Sequence, residues 1–458
     1  MTDLALALFL LGMGVLGLKR PFLWVLLYLY VDIVMPQKVA WGFLANPALK
    51  ISLLSFILAF AGWMLLDNKK GARFTVRQGL IVALLAICGL TTLTAQFQDS
   101  AWEKWDWVWK AMVFAAFLPL TLRTRLRIEA AVLVFVLSIG AIVIGGGLKT
   151  VTGGGGYGSL RLLVDSNSGI YEGSIISTAA ICTVPLILFL GRRGTIFPPD
   201  KPVYLFAAGL IFACLLMPVG TSARTGLVCI AVLGVLMMRS VRHRALYAGL
   251  AGLAMLAAIP FLPASFTERM GTIAGYEQDA SASTRVAVWE WTIDYAKKNP
   301  FGGGFDAYRS NSFTYEMPKV EGDENNRIIS YSKVTDEARA YHSSYFEMLG
   351  EQGWIGLGVW LWLHLLGLWQ MERIWRREKA RGDDADPFAR DLATALQQAQ
   401  IVSLTGAAFV GIAYQPFCFV IIALQCGLWS WWKRTRSELA RSGFAARPAT
   451  TTPQTASA

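Results

Sequence analysis

Long apolar runs separated by short polar breaks extend along most of the chain, and this pattern predicts a bundle of membrane-spanning helices. A helix needs roughly 20 apolar residues to cross a hydrocarbon core of ~30 Å, and several runs are shorter, so we predict about 12–13 spans. The runs lie near residues 4–18, 21–36, 48–66, 78–95, 107–120, 127–148, 170–190, 202–219, 223–238, 245–262, 346–370, 396–414 and 416–432.

Composition supports an integral membrane protein and excludes two other classes. Of the 458 residues, 55% are apolar and only 16% are charged, against about 25% charged in a soluble globular domain. A disordered chain is excluded because disorder requires low hydrophobicity, whereas the mean hydropathy is +0.46. The six cysteines lie in apolar runs without metal-ligand spacing, so we expect neither a disulfide framework nor a zinc site. Lys19 and Arg20 follow the first run, which is therefore expected to be a retained span and not a signal peptide.

The distribution of positive charge predicts the topology. Alternate connections carry 26 Lys and Arg residues, whereas the intervening short connections carry seven. The positive-inside rule assigns the basic set to the cytoplasm, which puts the N-terminus outside and the C-terminus in the cytoplasm. Because topology accounts for most of the net charge of +11, no nucleic-acid partner is expected.

The same pattern divides the chain into five regions. These are N-terminal transmembrane helices (1–148), central transmembrane helices (149–262), a long outer loop (263–341), C-terminal transmembrane helices (342–432) and a cytoplasmic tail (433–458) expected to be largely disordered. Long outer loops cross the membrane whatever their charge, and loops carry function more often than spans do. We therefore expect chemistry in and beside residues 263–341.

Among three histidines, His342 is the candidate for catalysis. His243 lies in a basic cytoplasmic cluster, and His364 lies within a span, where a hydrogen-bonded structural role is expected. His342 precedes a helical run that Ser343 or Ser344 can cap. The positive end of a helix lowers an imidazole pKa and favours the neutral form that a general base requires. A capping or interfacial histidine explains this position equally well.

Three outer-face arginines are candidates for binding an anion. Arg224 and Arg285 each open a predicted helix, where a cation opposes the helix dipole unless an anion lies between the side chain and the free amides. Arg161 follows the glycine-rich stretch 153–158, which allows close backbone approach to a ligand. Phosphate suits such a site because the guanidinium fork matches its oxygens. The alternative is that each arginine extends to lipid headgroups.

Four stretches, taken in order, resemble the O-antigen ligase and polymerase superfamily of bacterial membrane glycosyltransferases. They are Arg161 to Asn167, Ser222 to Gly226, Ser283 to Gly304 with Trp289 and the Asn-Pro-Phe-Gly-Gly-Gly run, and His342 to Gly356 with its Leu-Gly-Glu-Gln-Gly-Trp-Ile-Gly run. The first 140 residues, with Pro36-Gln37 and Trp41-Gly42, are similar to O-glycosylation ligases of exosortase A-associated systems. The resemblance spans nearly the whole chain.

The resemblance implies a GT-C-like helical bundle in the bacterial inner membrane, with a long periplasmic loop containing short helices and an active site facing the periplasm. It implies inverting transfer, without a metal or cofactor, of a glycan from undecaprenyl pyrophosphate to a hydroxyl of a glycan, lipid or protein acceptor. By matching position, His342 corresponds to the catalytic base. Pyrophosphate-binding residues correspond to Arg161, Arg224 and Arg285, and supporting residues to Asn167, Ser343 and Tyr345.

Two other functions remain open at this stage. A polymerase shares the chemistry and differs only in using a second lipid-linked repeat unit as acceptor. A transporter of lipid-linked sugar normally has ionisable residues within its spans or internal repeats. The sequence offers only Asp32, Glu172 and His364 as such residues and shows no repeat, which disfavours a transporter.

Overall fold

The structure, a computed structural model, describes residues 2–153, 160, 162, 169–239, 243–246, 249, 252–253, 280–321 and 328–445. Two β-strands pair within the long loop: β1 (Ser312–Glu321) and β2 (Ile328–Glu337). The α-helices in these ranges are α1 (Thr2–Lys19), α2 (Phe22–Val34), α3 (Pro36–Val39), α4 (Ile51–Leu66), α5 (Val76–Leu93), α6 (Gln98–Thr121), α7 (Arg125–Val151), α8 (Gly173–Arg193), α9 (Lys201–Gly220), α10 (Arg224–Met238), α11 (Ala280–Lys298), α12 (Ser344–Lys379), α13 (Pro387–Ala407) and α14 (Pro416–Ala445).

The predicted all-α, multi-pass membrane fold is confirmed. Among the described residues, six helical stretches are long and apolar enough to cross a membrane, namely Pro47–Leu66, α5, α7, α8, α9 and α12, while α2 and α10 are shorter apolar helices. Each predicted span other than 245–262 overlaps a helix, and 245–262 lies largely outside the described residues, as does the tail beyond 445. The expectation of a disordered tail from residue 433 was wrong for residues 433–445, which continue α14 because Arg434 and Arg436 are held by Gly71 and Glu378. All six cysteines are buried free thiols.

Polar residues define where several of these helices begin. Thr75 and Gln78 form a capping box at α5, in which the Thr75 hydroxyl accepts from the Gln78 amide and the Gln78 side chain accepts from the Thr75 amide. Single side-chain caps begin three further helices. The side-chain oxygens of Thr124, Asp200 and Asp386 accept from backbone amides in the first turns of α7, α9 and α13. All four caps lie in connections that the charge pattern assigns to the cytoplasm.

Connections predicted to be cytoplasmic meet at one end of the bundle, which we call the basic end. Arg434, just beyond the last predicted span, donates to the carbonyl of Gly71 at 2.7 Å, and so joins α14 to the α4–α5 connection. Arg193 at the end of α8 pairs with Asp391 at the start of α13, with 2.7 Å between Nε and Oδ2. The alternation of basic and non-basic connections therefore corresponds to two opposite ends of one helical bundle.

The opposite end, which we call the loop end, gathers the remaining connections. Asp3 at the start of α1 accepts hydrogen bonds from the amides of Trp41 and Gly42 at 3.1 and 2.8 Å. The amide of Gln96, between α5 and α6, donates to the carbonyl of Gly303 in the long loop at 3.4 Å. The N-terminus and the long loop thus share one end, as the predicted topology requires.

The long loop contains a β-hairpin that the sequence analysis did not predict. Its strands pair antiparallel, with Ser312 opposite Glu337 and Glu321 opposite Ile328. Asn311 closes the base of the hairpin, since its Oδ1 accepts from the Arg339 amide at 2.8 Å and its Nδ2 donates to the Arg339 carbonyl at 2.7 Å. Helix α11, with 19 residues, is also longer than the short helices expected in this loop.

A polar network crosses the buried interior between α5, α12, α13 and α14. The Gln400 side-chain amide donates from Nε2 to His364 Nδ1 at 2.9 Å, so the predicted hydrogen-bonded structural role of His364 is confirmed. Arg77, which the charge pattern counts among the cytoplasmic cations, is instead completely buried and donates to Gln425 at 2.8 Å. Arg77 thus ends the basic connection in sequence, but its side chain lies in the first turn of α5 and faces α12 and α14.

Candidate functional site

His342 lies at the loop end between β2 and α12, in a backbone conformation that side-chain-bearing residues rarely adopt. Its φ is +47°, in the left-handed region. Its neighbours Tyr341 and Ser343 are 3% and 1% exposed, whereas the His342 side chain is exposed. Packing of the neighbours on both sides therefore fixes the unusual turn, and the turn directs the imidazole outward. Such strain in the backbone is concentrated at functional sites.

The residues after His342 anchor the start of α12 to α13 and the connection that follows it. The Ser344 hydroxyl donates to the Val410 carbonyl at 2.9 Å and accepts from the Ile412 amide at 2.8 Å. The Tyr345 hydroxyl donates to the carbonyl of Leu404 at 3.1 Å. Ser343 occupies the N-cap position without a side-chain cap bond. Ser343 thus stands at the predicted N-cap, but neither serine makes a capping hydrogen bond, and the Ser344 hydroxyl is engaged by Val410 and Ile412 instead.

Arg285 does not open its helix as predicted, because α11 begins at Ala280 and Arg285 lies in the second turn. It still lies close enough to His342 to influence its ionisation. The surrounding protein desolvates the imidazole, and the positive charges of Arg285 and Arg339 act in the same direction, so the pKa of His342 lies below its ordinary value. Trp289, one turn beyond Arg285, donates from Nε1 to the Tyr341 carbonyl at 2.9 Å. Its ring stacks on Phe346 with 4.9 Å between centroids. Helix α11 is thus docked directly on the segment that carries His342.

The Asn-Pro-Phe-Gly-Gly-Gly run interlocks with a kink in α12. At Gly353 the backbone leaves the helical region, with φ +66° and ψ −169°. The Gly303 amide donates to the Gly350 carbonyl at 2.9 Å, and the Trp354 amide donates to the Pro300 carbonyl at 3.1 Å. Backbone groups that lose their helical partners at the kink therefore form hydrogen bonds with the long loop. These bonds bring the stretch from Ser283 to Gly304 into contact with the stretch from His342 to Gly356.

Two positions at this junction require glycine, because a side chain would clash with the neighbouring backbone and because their φ angles are positive. A Cβ at Gly302, where φ is +85°, would lie 2.3 Å from the carbonyl oxygen of Glu351. A Cβ at Gly353 would lie 2.2 Å from the carbonyl oxygen of Pro300. Such distances leave no room for a side chain, so this run positions the kink by close backbone packing.

Sequence analysis missed a buried charge cluster centred on Lys104. The Lys104 ammonium from α6 lies 2.9 Å from Glu347, 2.8 Å from Glu351 and 3.7 Å from Asp306. The same Glu351 oxygen accepts from the Asp306 amide at 2.9 Å, and the ammonium lies 4.8 Å from the Tyr414 ring centroid. The only sequence signal was the pair of glutamates four residues apart on one face of α12. The cluster joins the N-terminal helices to α12 and the long loop.

A polar cleft of about 410 Å³ opens beside this cluster and is lined in part by Glu347, in the first turn of α12, the helix that follows His342 in the chain. Trp107, Glu103, Arg309 and Gln415 are among the residues that line it. Gln415 is 7% exposed, and its side-chain oxygen has no hydrogen-bond partner among the described residues. A buried acceptor without a partner is costly, so the cleft is suited to a ligand with hydroxyl donors.

Arg224 is the first residue of α10 and lies at the loop end. Cys229, just over one turn further, contacts the Val402 carbonyl of α13 at 3.7 Å. Tyr345 reaches Leu404 on the same final turns of α13. Arg224 and His342 therefore both lie near the loop end of α13. Two other predicted site residues, Arg161 and Asn167, lie outside the described residues.

Two of the residues considered for transport have local structural partners. The Glu172 carboxylate caps α8 by accepting from the Ile175 amide at 2.8 Å. Asp32 accepts from the Tyr28 hydroxyl at 3.3 Å. Within the described ranges, no three His, Cys, Asp or Glu side chains are grouped so that they could hold a metal ion.

Comparison with known families divides the chain into two parts. Residues 209–361 match the family described as O-antigen ligase, and residues 1–195 match a family of unknown function (DUF5935). A comparison with curated proteins finds no match. The first match contains Arg224, Arg285, the glycine run and His342, while Lys104 belongs to the second. The similarity to exosortase A-associated ligases remains a prediction. Residues 209–361 are therefore similar to O-antigen ligases, a family that implies transfer of lipid-linked glycans, and they follow an N-terminal region that matches a family of unknown function.

Proposed function

We propose that the protein is an inverting, metal-independent glycosyltransferase of the bacterial inner membrane that transfers a glycan from undecaprenyl pyrophosphate to an acceptor hydroxyl at the periplasmic face. The observation that carries this proposal is that α11, the helix of Arg285, docks on the segment of His342 through the hydrogen bond from Trp289 to the Tyr341 carbonyl. Desolvation and the positive charge of Arg285 act together to lower the pKa of His342. Both residues lie in the O-antigen ligase region, at the end of the bundle opposite the basic connections. An imidazole beside a guanidinium suits a reaction that removes a proton and expels a phosphate.

His342 acts as the general base in the proposed reaction. The neutral imidazole accepts the proton of the acceptor hydroxyl, and the hydroxyl oxygen forms a bond to the anomeric carbon. The bond from that carbon to the pyrophosphate oxygen breaks, its electron pair leaves with undecaprenyl pyrophosphate, and the configuration inverts. An imidazole ordinarily titrates near pH 6.5, so lowering the pKa keeps His342 unprotonated and ready at neutral pH.

Arg285 contributes both to the departure of the pyrophosphate and to the removal of the proton by His342. Its guanidinium stabilises negative charge that develops on the leaving oxygen, and Arg224 and Arg161 are proposed as further ligands of the pyrophosphate. When a pyrophosphate neutralises Arg285, the imidazole loses a repulsive positive neighbour. The proton affinity of His342 then rises, so the donor itself strengthens the base that the reaction needs.

The polar cleft beside the Lys104 cluster is proposed to hold part of the saccharide. Its carboxylates (Glu103, Asp306 and Glu347) outnumber its cations (Lys104 and Arg309), which disfavours anionic groups. The Trp107 ring and the unpartnered Gln415 oxygen suit a sugar, with an apolar face and hydroxyl donors. The pyrophosphate and the saccharide would then occupy neighbouring sites of opposite charge.

Reconstitution with a defined donor tests the function directly. Purified protein in lipid nanodiscs, given an undecaprenyl-pyrophosphate-linked oligosaccharide and candidate glycan, lipid or protein acceptors, should yield a glycosylated acceptor and free undecaprenyl pyrophosphate, identified by mass. A single addition indicates a ligase, whereas a ladder of repeat units indicates a polymerase. Movement of intact donor across the bilayer without any glycan transfer would contradict the proposal.

The pH dependence of transfer should reflect the neighbours of His342. A general base loses activity when it is protonated, so the acid limb of kcat/KM should fall below the ordinary imidazole value of about 6.5. Replacing Arg285 with glutamine removes a positive neighbour of His342 and so raises the pKa of the imidazole. The acid limb of the variant should therefore lie at higher pH than that of the wild type, whatever the change in its maximal rate. The exposed Lys298, at the far end of α11, provides the matched control Lys298→Gln. An acid limb in Arg285→Gln at the wild-type pH would remove the proposed coupling.

A further inference from the structure

The basic end contains a second cleft with very different chemistry from the first. It has a volume of about 680 Å³ and lies between the ends of four helices, α8, α10, α12 and α13. Five cationic side chains line it against a single carboxylate, that of Asp391. The cations are Arg192, Arg193, Arg239, Lys379 and Arg390. Gathering like charges in one cleft is unfavourable unless an anion offsets their repulsion.

Protein carboxylates neutralise this charge only in part. Asp391 is shared, at 2.7 Å from Arg193 and 2.9 Å from Arg390. Arg239 pairs with Glu372, beyond the lining, at 3.0 Å. In the part of the chain that the structure describes, Arg192 and Lys379 form no ion pair. The cleft therefore retains positive charge that is available to a ligand.

Beside the charged residues, the cleft is lined by the polar side chains of Thr394 and Gln398 and by apolar walls that belong to helices of the bundle. Pro185, Leu188 and Phe189 come from α8, and Met237 comes from α10. A soluble phosphate would leave these walls without a partner. A phospholipid matches both parts, since its phosphate meets the cations while its acyl chains lie along the apolar surface.

Four of the five cations form two groups within the cleft, and Arg192 completes the basic lining. Arg193 and Arg390 surround Asp391, whereas Arg239 and Lys379 lie over the Trp375 ring at 4.4 and 4.7 Å from its centroid. Two groups of cations match a headgroup with two phosphates better than one with a single phosphate.

We propose that this cleft binds the headgroup of an anionic phospholipid, with preference for a two-phosphate lipid of the cardiolipin type. The basic end is the end that the positive-inside rule assigns to the cytoplasm, and basic pockets between transmembrane helices on that side favour such headgroups. The inference concerns the opposite end of the bundle from His342, and it stands whether or not the proposed transfer reaction is correct.

Native mass spectrometry of the purified full-length protein tests the proposal. Detergent-solubilised protein is titrated separately with cardiolipin, phosphatidylglycerol and phosphatidylcholine, and one retained cardiolipin per chain should appear at the lowest lipid concentration. Arg192→Gln combined with Lys379→Gln should weaken that binding at least tenfold. Lys69→Gln combined with Lys70→Gln removes two exposed cations at the same end but outside the cleft, and should leave binding unchanged.

Three results would overturn the proposal. Equal retention of the three lipids would indicate general membrane adsorption, and equal loss in both double variants would indicate a nonspecific effect of charge. If sodium pyrophosphate binds the lipid-free protein and displaces cardiolipin, and both effects disappear in Arg192→Gln with Lys379→Gln, the cleft is a site for soluble polyphosphate and not for lipid.

Discussion

Replacing His342 with asparagine should reduce glycan transfer by at least about a hundredfold while leaving the protein as stable as the wild type. Removal of a general base typically costs 10²–10⁴ in rate. Asparagine is the suitable replacement because it tolerates the left-handed backbone region better than most residues do, and His342 has a φ of +47°. Transfer is measured with lipid-linked donor and acceptor, and stability by thermal unfolding in the same detergent.

Two controls separate catalysis from folding in this variant. His243→Asn changes the exposed histidine at the basic end and should alter neither transfer nor stability. Binding of the lipid-linked donor to His342→Asn should persist, because the proposed phosphate ligands remain. Near-normal transfer by His342→Asn would place the base elsewhere. Loss of stability together with transfer would favour the capping or interfacial explanation for this histidine.

The helical bundle and its two ends followed from local features of the sequence. Span length, apolar composition and the alternation of basic connections each depend on residues close together in the chain. Even so, the charge pattern did not reveal that Arg77 is buried, because Val76 alone separates the connection before α5 from the buried Arg77 in its first turn. Positive charge alone does not reveal whether a side chain turns toward solvent or toward a neighbouring helix.

The neighbourhood of His342 was predictable only in part. Arg285 was selected from its place at the start of a helix and from the family resemblance, and its influence on His342 agrees with a shared site. The glycine run was recognised as a motif, but its role in locking the Gly353 kink depends on backbone contacts across the fold. The resemblance therefore supplied the motif, whereas the physical reason for its glycines depends on contacts between distant parts of the chain.

The Lys104 cluster was not predictable, because its partners are far apart in sequence. Glu347 and Glu351, four residues apart in a helix, resemble an ordinary solvated face, and Lys104 resembles an interfacial cation. In the structure Glu351 is completely buried, and the ammonium reaches it from α6. This contact links the region of unknown function to the region that matches O-antigen ligases, so the N-terminal helices help to position the helix that begins beside His342.

Replacing Lys104 with methionine should lower the free energy of unfolding by about 3–5 kcal/mol. The substitution keeps the apolar stem but leaves buried carboxylates without their cation, and an uncompensated buried charge carries a cost of this size. The Lys104 side chain is 14% exposed and that of Glu351 is 0% exposed, so solvent screens the pair weakly. The change is measured by denaturant titration in detergent, and transfer should fall with it, since the cluster supports α12 next to His342.

A lysine with an exposed partner provides the matched control. Lys297 pairs with Asp294, and both side chains are more than 60% exposed, so Lys297→Met should cost no more than about 1 kcal/mol. Adding Glu351→Gln to Lys104→Met removes one of the unpaired charges while keeping an oxygen to accept from the Asp306 amide. The double variant should therefore recover part of the lost stability. If Lys104→Met unfolds like the Lys297→Met control, or if Glu351→Gln destabilises it further, the buried ion pair does not hold the two regions together.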